Sequence, residues 1–156
     1  MEMIPSLQKA GYTYAIIDHV HVKPKDQNQK LDYFFPYKAH FENAHITVIP
    51  RNRDLSNAQE SGLSAQWFLT ETAKKLQECP SPQPRRLITT WSDGENGGWF
   101  RQIDEEAGFF GYFFAPLAKA IREKTTTMRF TKISDFIKKI SKIRSEEHTS
   151  ELQSPY

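Results

Sequence analysis

The chain has 156 residues and a formal net charge of +2, so it is long enough for one ordinary domain and close to charge balance. Cys79 is the only cysteine, which excludes an intrachain disulfide. No apolar run reaches the roughly 18 residues that a membrane span needs, and the N-terminus lacks the apolar core of a signal peptide. These features predict a cytoplasmic protein with no nucleic acid and no membrane as partner, and they leave the oligomeric state open.

The predicted elements alternate between helix and strand. In chain order they are a helix over Met1–Ala10, a strand over Tyr12–Val22, a strand over Ala44–Pro50, a helix over Ala65–Cys79, a strand over Leu87–Trp91, a helix over Gly108–Lys124 and a last helix from Ser134. This order predicts an α/β fold with a parallel sheet. Three strands cannot close a barrel, so the sheet is either small and open or part of something larger.

Three local patterns bear on these elements. The aromatic stretch Tyr33–Phe41 fits no element clearly. Pro116 cannot lie inside a regular helix, so the helix there either begins near it or is kinked. The basic run Arg129–Lys142 alternates with apolar residues at helical spacing, which favours a solvated helix face over a nucleic-acid site.

The chain ends in RSEEHTSELQSPY, residues 144–156, which is polar and has no hydrophobic periodicity. Residues 144–154 resemble, without interruption, the translation of a common short-read sequencing adapter. We therefore expect residues 1–143 to carry the fold and residues 144–156 to be an artefactual, disordered tail. The alternative is a natural disordered tail.

The stretch TTWSDGENGGWF follows the third predicted strand and places Asp93 and Glu95 between Trp91 and Trp99. Tryptophan covers the apolar face of a sugar ring, while a carboxylate binds hydroxyls or protonates a leaving oxygen. Glycoside hydrolysis needs two carboxyl groups about 5 to 9 Å apart, so we expect one of this pair to do chemistry with a partner from another strand. The alternative is a turn, because Asp-Gly and Asn-Gly are favoured turn dipeptides.

Histidines cluster near the end of the first predicted strand. His19 and His21 follow Asp18 and share a strand face, while His40 and His45 lie further along. Three interpretations remain open: a metal pair, a histidine that hydrogen-bonds a substrate or an acidic neighbour, and an ordinary structural histidine. No pattern completes a metal-ligand set, so we expect no metal.

The polar stretch RNRDLSNAQESG, residues 51–62, follows the second predicted strand. It is interpreted as a solvated loop with a helix cap at Ser56. Alternatively, its charged side chains are salt-bridged and orient a neighbouring cleft; these are Arg51, Arg53, Asp54 and Glu60.

Taken together, these motifs resemble glycoside hydrolase family 57, the α-glucan-acting hydrolases and 4-α-glucanotransferases. The fourth signature region of that family reads D-x-E-x-x-G with an aromatic residue just after it, and Asp93, Glu95, Gly98 and Trp99 fill this pattern. The resemblance implies that Asp93 is the general acid/base. It also implies that Glu95 binds substrate or supports the site, and that Trp91 and Trp99 shape the sugar subsites.

Two further stretches resemble the same family. KAGYTYAIIDHVHVKP is similar to the strand that follows the nucleophile, which often ends in Asp-Asp-x-His. Asp18 and His21 match that ending and would bind substrate, whereas His19 stands where the second Asp is common. ITVIPRNRDLSNAQESG is similar to the next strand and its loop.

The resemblance implies an incomplete (β/α)7 barrel, a retaining mechanism and an α-glucan or oligosaccharide partner, with neither metal nor organic cofactor. The nucleophilic glutamate of the family would fall before Met1. We therefore expect a fragment that carries the acid/base, lacks the nucleophile and is inactive alone. The alternative is a small non-catalytic carbohydrate-binding or interaction domain. The sequence leaves open whether the reaction is hydrolysis or transfer, and which length and linkage of glucan it would act on.

Overall fold

The computed structural model describes residues 3–23, 31–79, 85–91, 106 and 108–141. Met1–Thr126 forms one compact unit and Thr127–Tyr156 forms a second. None of the described helices combines the length and the apolar character that crossing a bilayer would require.

The first unit begins with one helix, the strands follow it, and the remaining helices come after the strands. It contains α1 (Met3–Lys9), β1 (Tyr14–Asp18), a 3₁₀ turn (His19–His21), β2 (Tyr37–Phe41), β3 (Ala44–Arg51), α2 (Arg53–Glu60), α3 (Ala65–Glu78), a π-helical segment (Phe109–Phe114) and α4 (Ala115–Arg122). The second unit contains one described helix, α5, over residues 133–141.

The sheet is mixed, with the strand order β1-β3-β2. β1 and β3 run parallel, with Tyr14 opposite Thr47 and Asp18 opposite Arg51. β2 runs antiparallel to β3, and the tight turn between them places Glu42 at a φ of 51°. The predicted α/β class and its parallel pair are therefore confirmed, but the expectation of an all-parallel sheet is wrong because of the β2–β3 hairpin.

Helix α1 covers one face of β3. Its Ile4 forms a buried cluster with Ile46 and Val48, two positions that alternate along β3 and so point to the same side. Each such side chain contributes about 1.5 to 3 kcal/mol through burial. The helix ends at Lys9, and Gly11 just beyond it has a φ of +85°, a conformation that glycine adopts without steric cost.

The predicted strand Leu87–Trp91 is not a strand in the structure. The Leu87 amide donates to the carbonyl of Phe34 at 2.7 Å, whereas the Thr89 carbonyl accepts from the Asn52 amide at 2.9 Å. These backbone bonds go to two separate places in the chain and form no continuous ladder with one strand. The segment is nevertheless fixed against the residues that precede β2 and follow β3.

Pro116 explains the change of helix type ahead of α4. It lies in the first turn of α4, and the six residues before that helix are π-helical. Proline has no amide hydrogen to donate into the preceding turn, so the regular α-helical pattern cannot continue across it. The segment packs on α3 through an edge-to-face contact between Phe113 and Phe68, whose ring centroids are 5.2 Å apart.

Candidate functional site

One face of β1 forms the wall of a groove of about 610 Å³. Tyr14, Ile16 and Asp18 line it, and their spacing of two residues places them on the same side of the strand. Arg51, which lies opposite Asp18 in the sheet, and Trp91 complete this end of the groove. Residues 11–13 line its other end. The carboxyl ends of the two parallel strands therefore meet at the groove, as in other parallel α/β sites.

The carboxylate of Asp18 is held at this strand end by an arginine from α2. Arg53 Nε donates to Asp18 Oδ2 at 2.8 Å. Burial alone would raise the pKa of Asp18, but the hydrogen bonds from Arg53 and from the Val20 amide, with the charges of Arg53 and Arg51, lower that pKa below its ordinary value. Asp18 Oδ1 is buried and has no hydrogen-bond partner among the described residues. These contacts favour the ionised form of the carboxylate, and Arg53 holds its position.

His19, directly after β1, ties that strand to the β3–α2 junction. Its Nδ1 lies 3.1 Å from the Arg51 carbonyl and 3.1 Å from the Arg53 amide nitrogen. An unprotonated Nδ1 accepts from the Arg53 amide, and a protonated Nδ1 donates to the Arg51 carbonyl. The Tyr33 ring contacts the imidazole edge-to-face at 5.1 Å. These hydrogen bonds go to backbone atoms, as in an ordinary structural histidine, while the nearest acidic atom, Asp18 Oδ1, lies 3.6 Å from Nδ1.

His21 occupies a different environment. It ends the 3₁₀ turn, is exposed, and is not among the described residues that line the groove. The predicted strand Tyr12–Val22 is shorter than expected for the same reason, because residues 19–21 leave the extended conformation. Its substrate-binding role stays a prediction.

The loop predicted after β3 is the helix α2, and its cap is Asn52 instead of Ser56. Asn52 Oδ1 accepts from the Leu55 amide at 3.0 Å, which satisfies a donor in the first turn of the helix. Ser56 lies inside α2, where its side chain is fully buried and contacts Arg51, Asn52 and the Trp91 amide. Sequence reasoning missed this contact between α2 and the Trp91 segment.

The charges of α2 serve two different contacts. Arg53 binds Asp18, whereas Asp54 binds Lys75 of α3 at 2.9 Å. The hydrogen bond and charge of Lys75 lower the pKa of Asp54, although its side chain is 63% exposed. Arg53 thus forms the expected salt bridge beside the groove, while Asp54 joins two helices away from it; the orienting role stays a prediction.

Arg86 anchors the segment that leads to Trp91. Its Nη1 and Nη2 donate to the carbonyls of Leu76 and Cys79 at 2.6 and 2.8 Å, at the end of α3. Its Nε lies 3.3 Å from Oδ2 of Asp32, a carboxylate with only 7% exposure. One guanidinium thus satisfies carbonyls at the C-terminal end of α3 and neutralises a buried carboxylate.

Of the residues that the D-x-E-x-x-G motif supplies, Asp93, Glu95 and Trp99 lie outside the described residues. Trp91 is described: its side chain is 56% exposed at the groove and its amide donates to Ser56 Oγ at 3.1 Å. The structure thus brings Asp18, Arg51 and Trp91 to one groove.

Comparisons with known proteins give the groove a family context. The sequence model of glycosyl hydrolase family 57 matches residues 1–149. A solved structure, the 4-alpha-glucanotransferase from Thermococcus litoralis, matches with a TM-score of 0.55 and 21% identity, over 88% of this chain and 20% of that chain. The chain therefore spans about a fifth of that protein's length, and the likeness bears on the fold. No curated protein matches the sequence. The family match covers nearly the whole chain, so the protein belongs to glycosyl hydrolase family 57.

Proposed function

We propose that the chain forms part of an incomplete (β/α)7 barrel of an α-glucan hydrolase or 4-α-glucanotransferase, and that its groove holds the glucan. The observation that carries the proposal is the groove at the carboxyl ends of β1 and β3, where an exposed Trp91 lies two residues before Asp93 in the sequence. Family membership and the name of the structural relative support a carbohydrate as the substrate.

In this proposal Asp93 is the general acid/base of a retaining double displacement. It first donates a proton to the glycosidic oxygen that leaves. It then removes a proton from the water or the acceptor sugar that attacks the glycosyl intermediate, and the same configuration is restored. An acid in this role needs a pKa raised toward neutrality, which a neighbouring indole ring promotes by excluding water.

The surrounding residues bind and orient the sugar. Trp91 and Trp99 stack on the apolar faces of neighbouring rings, since aromatic side chains offer large flat surfaces at low entropic cost. Glu95, His21 and Asp18 hydrogen-bond the hydroxyls. For Asp18 this requires a shift of its buried Oδ1 toward the groove, because Oδ2 already accepts from Arg53.

Double displacement needs a second carboxyl group about 5 to 5.5 Å from the first. Among the described residues that line the groove, Asp18 is the one that carries a carboxylate, and Arg53 together with burial keeps it from attacking an anomeric carbon. The family resemblance implies that the nucleophile is a separate glutamate, and we propose that a carboxylate outside these 156 residues supplies it. The 156-residue chain should then bind glucan without turnover.

Calorimetric titration with maltoheptaose, paired with a reducing-sugar and chain-transfer assay, tests this. The wild-type chain should bind and give no products. Trp91→Ala should weaken binding about tenfold, the size of a lost aromatic contact. Trp67→Ala is the matched control, because Trp67 is 37% exposed on α3 and is not among the described groove residues. Equal losses of affinity in both variants would refute glucan binding at the groove. Product formation that Asp93→Ala abolishes would refute the proposal that the nucleophile lies outside these residues.

A further inference from the structure

We infer that Ser56 is a positioning residue, whose hydroxyl fixes the Arg51 guanidinium and the Trp91 backbone against each other. Both residues line the groove, although Arg51 is the last residue of β3 and Trp91 lies in the segment after α3. That the groove binds glucan rests on the proposed function, whereas the positioning itself rests only on the contacts of Ser56.

The hydroxyl of Ser56 uses its full hydrogen-bonding capacity. It donates to the Asn52 carbonyl at 2.6 Å and accepts from Arg51 Nε and from the Trp91 amide, each at 3.1 Å. A hydroxyl has one hydrogen to donate and two lone pairs that accept, so no capacity is left for water. The Ser56 side chain is fully buried, so water cannot replace its hydroxyl as a hydrogen-bond partner unless these three groups move.

The three hydrogen bonds of Ser56 do more than stabilise α2. The donation to the Asn52 carbonyl, four residues earlier, fixes the rotamer of Ser56 and aims its lone pairs outward. One lone pair accepts from Arg51 Nε and orients that side chain. The other accepts from the Trp91 amide and fixes the position of the Trp91 backbone. Asp93 follows Trp91 by two residues in the sequence.

Thr72 provides a matched control elsewhere in the same unit. Its side chain is also fully buried, yet its Oγ1 has no hydrogen-bond partner among the described residues. The isosteric change Thr72→Val therefore removes a buried hydroxyl that has no hydrogen-bond partner among the described residues. Ser56→Ala removes one that has three partners. Ser56→Thr keeps the hydroxyl and adds one methyl group to a filled site, which costs stability through overpacking.

Nitrogen-15 NMR of the whole chain measures the positioning directly. In Ser56→Ala the Arg51 Nε–H and the Trp91 amide should exchange with solvent at least about tenfold faster, as expected for losing a buried bond of about 1.4 kcal/mol. Ser56→Thr should retain slow exchange at both sites despite a lower melting temperature, and Thr72→Val should leave both unchanged. If Ser56 had only a structural role, Ser56→Thr would speed up exchange at both sites as much as Ser56→Ala does.

Two results would overturn the inference: unchanged Arg51 and Trp91 signals in Ser56→Ala, or fast exchange of both hydrogens already in the wild-type chain. The second needs no variant, so it decides the matter even where Ser56→Ala does not fold. A maltoheptaose titration of the same samples separates the two proposals. Absence of binding in every sample would refute the proposed function, while the exchange rates would still decide the role of Ser56.

Discussion

Arg53 Nε lies 2.8 Å from Asp18 Oδ2, and this bond joins the last residue of β1 to the first residue of α2. The pair therefore connects the strand that lines the groove to the helix whose Ser56 contacts Arg51 and Trp91. The contact crosses 35 positions of the sequence, so it contributes to tertiary structure and not to local structure.

Replacing Asp18 with Asn should lower the free energy of unfolding by about 1.5 to 3 kcal/mol, the range for hydrogen bonds to charged groups. Because the folded-state pKa of Asp18 lies below its unfolded value, its contribution is present above about pH 4 and is lost as the pH falls through the folded-state pKa. Denaturant unfolding at pH 7 and between pH 2 and 4 should therefore show a smaller acid destabilisation in Asp18→Asn than in the wild type.

Asp54→Asn is the control for that measurement. The Asp54 pKa is also lowered, but its side chain is 63% exposed, and exposed pairs contribute at most about 1 kcal/mol. The same loss in both variants would contradict a special role for the Asp18–Arg53 pair.

Arg86→Met should destabilise the protein by about 3 to 5 kcal/mol, because it leaves the buried Asp32 carboxylate without its cation and two carbonyls at the end of α3 without donors. Thermal unfolding followed by circular dichroism measures the loss. Arg85→Met changes the exposed neighbour and should cost under about 0.5 kcal/mol. Equal, small effects would show that Arg86 is not an anchor.

Asn52→Ala should cost about 0.5 to 2 kcal/mol through loss of the side-chain cap of α2. Asn57 is exposed within the same helix, so Asn57→Ala should leave stability unchanged or raise it slightly, since alanine is the better helix former. Chemical denaturation of the two variants gives the comparison. A cost at position 57 that matches the cost at position 52 would contradict the cap.

Cys79 should react slowly with thiol reagents in the folded protein. Burial, followed by the charge and the hydrogen bond of Asp32, raises the pKa of its thiol, so less of the reactive thiolate is present near neutral pH. The rate of reaction with a disulfide reagent at pH 8 should increase several-fold when the chain is unfolded in urea. Equal rates in the two states would show that Cys79 is not shielded.

Much of the fold follows from sequence pattern, but the hairpin does not. α1, α3 and β3 have clear periodicity and stop signals, and they lie close to the predicted ranges, whereas β1 covers only the middle of its predicted range. Strand β2 was missed although its exposed residues alternate with partly buried ones, because aromatic residues crowd the approach to it and its turn lacks glycine. The cap of α2 was misplaced because Asn52 and Ser56 are both favourable cap residues, and only packing decides between them.

The candidate site likewise contains some residues that the sequence predicts and others that it does not. Asp18 and Trp91 carry signals of residue type and position, and the structure places both at one groove. The roles of Ser56 and Arg86 have no local signature, because each arises from contacts with residues brought near by folding. Asp93, Glu95 and Trp99 lie outside the described residues, so their roles stay predictions.

The central claim is that the groove along β1 holds an α-glucan, and chemical-shift mapping with maltoheptaose tests it most directly. We predict that the largest amide shifts will fall at Tyr14, Ile16, Arg51 and Trp91. A smaller cavity of about 350 Å³ between α1 and the β2–β3 turn, which includes Glu42 and Asn43, serves as the internal comparison. Shifts confined to that cavity, or no shifts at millimolar sugar, would contradict the account.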